Sequence, residues 1–161
     1  MKIKEVKSHI IQYDLKEELG YSQQYYQKRT GHLVEVVTDE GITGWGECFG
    51  PGNVAIANKV IVERVIQPMI LGENPLNRDV LWHKVYNLLR DHGQKGMPIQ
   101  ALSGVDIALW DILGKVTGLS ISRLIGGRFR EQVPVYGYGM MLRREKLTAP
   151  VSYTHLTLPT N

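Results

Sequence analysis

Two carboxylates, Asp106 and Asp111, stand five residues apart in a stretch that is otherwise largely apolar. Carboxylates in such a position can transfer protons, or they can pair with cations along the flank of a helix. The second interpretation has partners at hand, because Lys115 and Arg123 follow along the chain. A carboxylate on a helix that packs into a core usually orients its neighbours, so we favour pairing over catalysis.

The other residues that could do chemistry are scattered. His9 and His32 have no partner at the spacing of metal ligands, so we expect both to be structural. The single cysteine, Cys48, excludes an internal disulfide and a cysteine-rich zinc site, and we expect a small buried side chain. His92 and Lys95 lie between two predicted helices. They could reach the mouth of an active site, or they could belong to an ordinary charged connector.

The element that positions the two carboxylates is a predicted helix within residues 101–127. Apolar side chains follow one another at steps of three and four, which places them on one helix face. Pro98 suits the first helical turn, and Gly118 suits a left-handed residue after the last turn. The face that we expect to be buried consists of Leu102, Val105, Leu109, Ile112 and Val116.

Three strands are predicted before the helices. Residues 2–14 are rich in Ile, Val and Tyr and favour a strand, and residues 33–38 and 42–47 form two more, joined by a turn that Gly41 permits. Residues 16–30 collect polar and aromatic side chains without a period, which is typical of a loop. An antiparallel meander of three strands is therefore expected.

Two further helices are predicted between this meander and the central helix. One spans residues 54–67, with Asn53 as its N-cap and Pro68 as its boundary, and the next starts from Asn77 and ends near Arg90. Strands followed by helices describe an α+β fold in which helices cover one face of the sheet. The inward side chains are predicted to be Val54, Ala57, Ile61 and Val65 in the first helix and Leu81, Val85 and Leu88 in the second.

Composition bounds the class of protein. With 161 residues and 43% hydrophobic residues, the chain can bury the core of one domain, or of one domain and a piece of another. The net charge of +3 comes from scattered residues without a basic stripe, so we predict no nucleic-acid partner. No apolar run has the length of a membrane span, and the first residues are not a signal peptide. We therefore expect no membrane partner and a cytoplasmic location.

Two blocks of sequence carry a family resemblance. Ala-x-Ser-Gly-Val-Asp-x-Ala-Leu-Trp-Asp-x-x-Gly-Lys-x-x-Gly, from Ala101 to Gly118, resembles the signature helix of the mandelate racemase and muconate lactonizing enzyme group of the enolase superfamily. Gly-Ile-Thr-Gly-Trp-Gly-Glu-Cys, from Gly41 to Cys48, is similar to the same family's hairpin. The matching positions, for which the resemblance implies a structural role, are Gly44, Trp45, Gly46, Glu47, Asp106, Ala108, Trp110, Asp111, Lys115 and Gly118.

The resemblance implies a domain organisation. Residues 1–130 would form the N-terminal capping domain, which is α+β, and residues 131–145 would begin a (β/α) barrel that is otherwise absent. Its first strand is expected over residues 133–140. Residues 146–161 are rich in Thr and Pro where a barrel helix should begin, and we expect a non-native segment or a disordered tail.

The resemblance also implies a chemistry. Such enzymes remove the proton next to a substrate carboxylate, and Mg²⁺ stabilises the ene-diolate that results. The metal ligands and the base, a Lys or a His, lie at the ends of barrel strands. We therefore expect no catalytic residue, no metal ligand and no bound Mg²⁺ in this chain, whereas the full-length enzyme would bind Mg²⁺ and form a homo-oligomer.

Two loops of the cap would choose the substrate. The resemblance places them at residues 20–27 and 49–53. The first loop offers hydroxyl and amide groups, which suit a hydroxyl-rich acid sugar. The alternative is that these polar side chains only face solvent. Lys28 could attract an anion or end a solvated loop, and Glu47 could fix the second loop or be an exposed strand end. The candidate substrate-binding residues are Tyr21, Ser22, Gln23, Tyr25, Arg29, Phe49, Pro51, His92 and Lys95.

The sequence thus predicts the capping domain of a Mg²⁺-dependent acid-sugar dehydratase, a lyase whose partner is a small carboxylate. A racemase or cycloisomerase of the same superfamily is one alternative. A free-standing α+β binding module without catalytic activity is another.

Overall fold

The computed structural model describes residues 1–21, 24–135 and 142–143, and the chain divides into two compact units. The first unit comprises Met1–Gln12 and Thr30–Glu131, and the second comprises Tyr13–Arg29 and Gln132–Asn161. Two long strands, β1 (Ile3–Tyr21) and β2 (Gln24–Thr38), supply residues to both units.

The sheet of the first unit is the predicted antiparallel meander. β2 lies between β1 and the third strand, β3 (Thr43–Cys48), with Val34 opposite Gly46. Alternation along β2 buries Val34 and Val36 and turns Glu35 to the other face. The turn before β3 contains Gly41 at a φ of 83°, a left-handed conformation that glycine adopts without strain.

The second unit corrects the prediction of a loop over residues 16–30, because most of these residues belong to the ends of β1 and β2. Polar pairs join the two strands: Gln27 donates to Glu18 at 2.8 Å, and Lys28 lies 3.3 Å from Asp14. Such pairs can join two strands without an alternation of apolar residues, so no period-two pattern marks this segment in the sequence. A short strand, β4 (Leu142–Arg143), pairs with β1 at Leu19 and Gly20.

The first helical run extends beyond its predicted boundary. α1 (Asn53–Ile61) continues through a π-helical turn (Val62–Ile66) into α2 (Gln67–Ile70). Pro68 lies in the first turn of α2, directly after the π-helical turn, and it does not end the run. Asn53 is the first helical residue and not the cap, which is Gly52 at a φ of 55°.

The inner face of this run was predicted one residue out of register. The buried residues are Ala55, Asn58, Val62, Ile66 and Ile70. An asparagine on the buried face interrupts the apolar period, and the partly exposed neighbours then give the stronger signal.

Two longer helices complete the layer: α3 (Arg78–Leu89) and α4 (Met97–Thr117). Asn77 occupies the N-cap position of α3 as predicted, although its side chain makes no capping hydrogen bond. α3 buries Leu89 and leaves Leu88 exposed, which corrects the predicted inner face.

α4 agrees with the sequence in most respects. Pro98 lies in its first turn, and Gly118 follows it in the left-handed conformation. Leu102, Val105, Leu109 and Ile112 are buried as predicted, whereas Val116 is 40% exposed, which corrects the prediction at the last turn. A short helix, α5 (Ile121–Leu124), comes next.

The core of the first unit lies between the sheet and this helical layer. β1 and β2 contribute Ile3, Val6, Val34 and Val36, and they pack against the buried faces of the helices. Within the described part of the chain, no helix has the length and apolarity needed to cross a membrane. The strand predicted over residues 133–140 is not formed at residues 133–135, and residues 136–140 lie outside the described residues.

Candidate functional site

The carboxylate Asp106 forms an ion pair, as favoured from the sequence, but with a partner that the sequence analysis did not name. Its Oδ1 lies 2.7 Å from Nη1 of Arg78 on α3, and the guanidinium stacks over the Trp110 ring at 4.1 Å. Arg78 also pairs with Asp79. Asp106 therefore ties α4 to α3, and neither Lys115 nor Arg123 is its partner.

The carboxylate Asp111 contacts β3 and a lysine on its own helix. Its Oδ2 accepts the backbone N–H of Trp45 at 2.9 Å and lies 2.7 Å from Nζ of Lys115, which is the predicted pairing. Lys115 also donates to the carbonyl of Thr43 at 2.6 Å. Since β3 is an edge strand, these two side chains satisfy backbone groups that the edge would otherwise leave unpaired. Both carboxylates of the signature helix thus have partners within the first unit.

Glycines allow β3 to lie directly against α4. A methyl group at Gly46 would overlap the carbonyl oxygen of Gly104 and stand 2.8 Å from the Ala108 nitrogen, and one at Gly44 would stand 2.6 Å from Ile112 Cγ1. Gly104 in turn leaves room for Cys48. The glycines of the Gly-Trp-Gly pattern on β3 and the small residues of α4 therefore form the two surfaces of one close contact.

Cys48, His9 and His32 lie on the sheet. Burial raises the pKa of the Cys48 thiol to about 11, and the thiol donates to the Ala101 carbonyl at 3.7 Å. His9 lies 2.9 Å from Glu35 and 5.4 Å from the Trp45 ring, on the face away from the helices. His32 is fully buried, and burial and then the charge of Lys59 lower its pKa.

The 49–53 loop follows β3 directly. The Phe49 side chain is 69% exposed, Gly50 is buried and Pro51 is partly buried. Glu47, at the end of β3, is exposed, which agrees with the strand-end interpretation. The sequence analysis missed Asn58, whose buried amide contacts this loop, and the only signal for it was a polar residue within an amphipathic helix.

The connector between α3 and α4 carries the other two candidates of the first unit. His92 ends a 3₁₀ turn (Arg90–His92), and Lys95 follows before α4 begins. Both side chains are exposed.

The remaining candidates belong to the second unit. Tyr21 ends β1, and Tyr25 and Arg29 lie on β2, where Arg29 is exposed. Ser22 and Gln23 lie outside the described residues. Lys28 lies on β2 and not at the end of a loop, and its Nζ is 3.3 Å from Oδ1 of Asp14.

A metal centre finds no support among the described residues. No three His, Cys, Asp or Glu side chains come together there in a way that could hold an ion. Asp106 and Asp111 are engaged with cations and a backbone N–H, which leaves neither available to a metal.

An antiparallel meander covered by helices, with an exposed loop after its third strand, is the architecture of the N-terminal capping domain of the enolase superfamily. The chain belongs to the mandelate racemase / muconate lactonizing enzyme family, because the model of that family's N-terminal domain matches residues 10–126.

Several relatives are similar. D-galactarolactone cycloisomerase from Agrobacterium fabrum is 42% identical over 143 residues, which cover 89% of this chain and 37% of the relative. D-xylonate dehydratase from Haloferax volcanii is 41% identical over 106 residues, which cover 65% of this chain and 24% of the relative. The chain thus spans about a third or less of these curated relatives.

Among solved structures, a mandelate racemase/muconate lactonizing protein from Paracoccus denitrificans complexed with magnesium is 31% identical, with a TM-score of 0.64. That match covers 80% of this chain and 31% of the other.

Proposed function

We propose that residues 1–130 form the substrate-selecting cap of a Mg²⁺-dependent enzyme that removes the proton next to the carboxylate of an acid sugar, and that the enzyme is a dehydratase. Residues 131–145 would lead into the catalytic barrel. The observation that carries this proposal is the family match over residues 10–126 in a chain that spans about a third of its relatives.

The chemistry explains why a cap would need a barrel. A proton next to a carboxylate is a very weak acid, because its removal places a second negative charge on the same group. A cation and a positioned base must stabilise that charge. The described residues do not fit a magnesium site, so we assign the metal and the base to the barrel, and we expect this chain alone to turn over nothing.

The cap's own contribution would be to exclude water and select the substrate. Support comes from the exposed 49–53 loop and from the hydroxyl and amide groups of Tyr21, Ser22, Gln23 and Tyr25, which can bind the hydroxyls of a sugar acid. The name of the Haloferax volcanii relative, a D-xylonate dehydratase, agrees with this chemistry.

A cycloisomerase is the second candidate. The Agrobacterium fabrum relative, with 42% identity over 143 residues, carries that activity in its name. Both activities act on sugar acids or their lactones, so the substrate class is the same under either proposal.

The test is a fusion protein, in which residues 1–130 of this chain replace the matching N-terminal segment of the Agrobacterium fabrum cycloisomerase. Its turnover of sugar acids and sugar lactones with Mg²⁺ is compared with that of this chain and of the cycloisomerase remainder, each alone. We expect activity from the fusion protein only. Activity of this chain alone would contradict the proposal, and an inactive fusion protein together with acid-sugar binding by this chain would favour a binding module.

A further inference from the structure

Asn58 stands out on the inner face of α1, because it is a fully buried polar residue. Its Nδ2 donates to the Phe49 carbonyl at 2.7 Å and to Oε1 of Gln100 at 3.1 Å. Gln100 lies in the first turn of α4. One amide nitrogen thus links the 49–53 loop, α1 and α4.

The Phe49 carbonyl can only accept a hydrogen bond, so it determines which end of the Asn58 amide faces the loop. Oδ1 of Asn58 is then buried without a partner in the described residues. A buried polar atom without a partner costs stability, so core packing alone would favour an apolar residue at this position. The placement is explained by the bond to the loop.

Gly50 makes the contact tight. A methyl group there would stand 3.0 Å from the Ala55 nitrogen and 3.2 Å from Nδ2 of Asn58. The backbone of the loop therefore lies against the start of α1, while the Phe49 side chain projects with 69% exposure. Holding the carbonyl of Phe49 restrains the backbone from which its ring projects.

We propose that Asn58 is a positioning residue for substrate choice: it holds the 49–53 loop in one conformation, and the ring of Phe49 acts on the substrate from that fixed place. This role rests on the proposed function, whereas the contact between Asn58 and the loop does not. The two are therefore tested separately.

The contact is tested on the full chain by brief chymotrypsin treatment, with mass spectrometry to count cleavage after Phe49 and after Phe129. The Phe129 side chain is 95% exposed and serves as the internal reference. In Asn58→Leu, which lacks both donors, we expect cleavage at Phe49 relative to Phe129 to rise about thirtyfold, the factor expected from losing two hydrogen bonds. Gln100→Leu should give a smaller rise, because it keeps the bond to Phe49.

The matched control is Val62→Ala, which removes buried volume from the same inner face as Asn58 without touching the loop. Its relative cleavage at Phe49 should stay at the wild-type value. An unchanged ratio in Asn58→Leu would overturn the proposal. If that variant does not fold, an unchanged ratio in Gln100→Leu decides against it.

The role in substrate choice is tested in the fusion protein. Asn58→Leu should change the ratio of kcat/KM between its two best substrates at least threefold, and Val62→Ala should leave that ratio unchanged. An unaltered ratio in Asn58→Leu would overturn the positioning role. A fusion protein that turns over no acid sugar would contradict the proposed function and this role together, and the cleavage ratio would still decide the contact.

Discussion

At the scale of single residues, the signature positions include glycines that allow close packing and charged residues that bind partners. Gly44 and Gly46 lie so close to α4 that a methyl group on either would overlap the helix. Asp106, Asp111 and Lys115 bind partners within the domain. The signature residues described here thus join β3, α3 and α4 within the first unit.

Replacing Gly46 by alanine should destabilise the domain strongly. The new methyl group would meet the backbone of Gly104 and Ala108, which cannot move aside as a flexible side chain can. We expect the free energy of unfolding to fall by about 3 kcal/mol in urea titrations. Gly31→Ala, in open space on β2, is the matched control and should have little effect; equal losses in both variants would refute the close-packing account.

His32 should make stability depend on pH. Burial and the charge of Lys59 lower its folded-state pKa, so below its ordinary value of about 6.5 the unfolded chain binds more protons than the folded one. Its contribution to stability is therefore fully present above that pH and is lost as the pH falls through the folded-state pKa. Urea titrations at pH 5 and pH 7.5 should show a smaller pH effect in His32→Gln. The exposed His83→Gln should keep the wild-type pH effect, and an equal effect in all three proteins would contradict the prediction.

Some of these contacts could be read from the sequence and others could not. Asp111 and Lys115 are four residues apart on one helix, so local spacing predicted their pairing. Asp106 pairs with Arg78, 28 residues away, and that contact depends on how α3 packs against α4. Asn58 was missed for the same reason, because its partners are a loop carbonyl and a residue of another helix.

At the scale of elements, the close packing of α4 against β3 is a central contact of the first unit. α4 covers the strand closely, and Asp111 and Lys115 form hydrogen bonds with backbone groups along the free edge of β3. A bare edge strand would offer these groups to another chain. The helix therefore both completes the core and closes one side of the sheet.

Removing the Asp111 carboxylate should loosen the edge of β3. Asp111→Ala leaves the Trp45 N–H without its acceptor, so we expect a loss of about 1 kcal/mol in unfolding free energy and about fivefold faster hydrogen exchange of the Trp45 amide. Glu47→Ala, on the same strand and exposed, is the control and should change neither quantity. Slow exchange at Trp45 in both variants would show that Asp111 does not protect the edge.

The elements that the sequence predicted well are those with one apolar face. The meander in the first unit and α4 each bury one side, so their periods of two and 3.6 residues are visible. The ribbon formed by the ends of β1 and β2 is joined by polar pairs and shows no such period. The register of α1 was missed because Asn58 replaces an apolar residue on the buried face.

At the scale of the whole molecule, the described core lies in the first unit, between the sheet and the helices. The carboxylates of the signature helix are engaged, and no cluster of metal ligands occurs in the part of the chain that the structure describes. Under the proposed function, the cap would select and enclose the substrate, and the reaction would belong to the barrel.

The most direct test of this account is the substrate profile of the fusion protein, compared with that of the natural cycloisomerase across one panel of sugar acids and sugar lactones. Both proteins share the same C-terminal remainder, so any difference in the ranking of kcat/KM comes from the N-terminal domain. The account predicts an active fusion protein with a changed ranking. Activity with an unchanged ranking would contradict the claim that this chain selects the substrate.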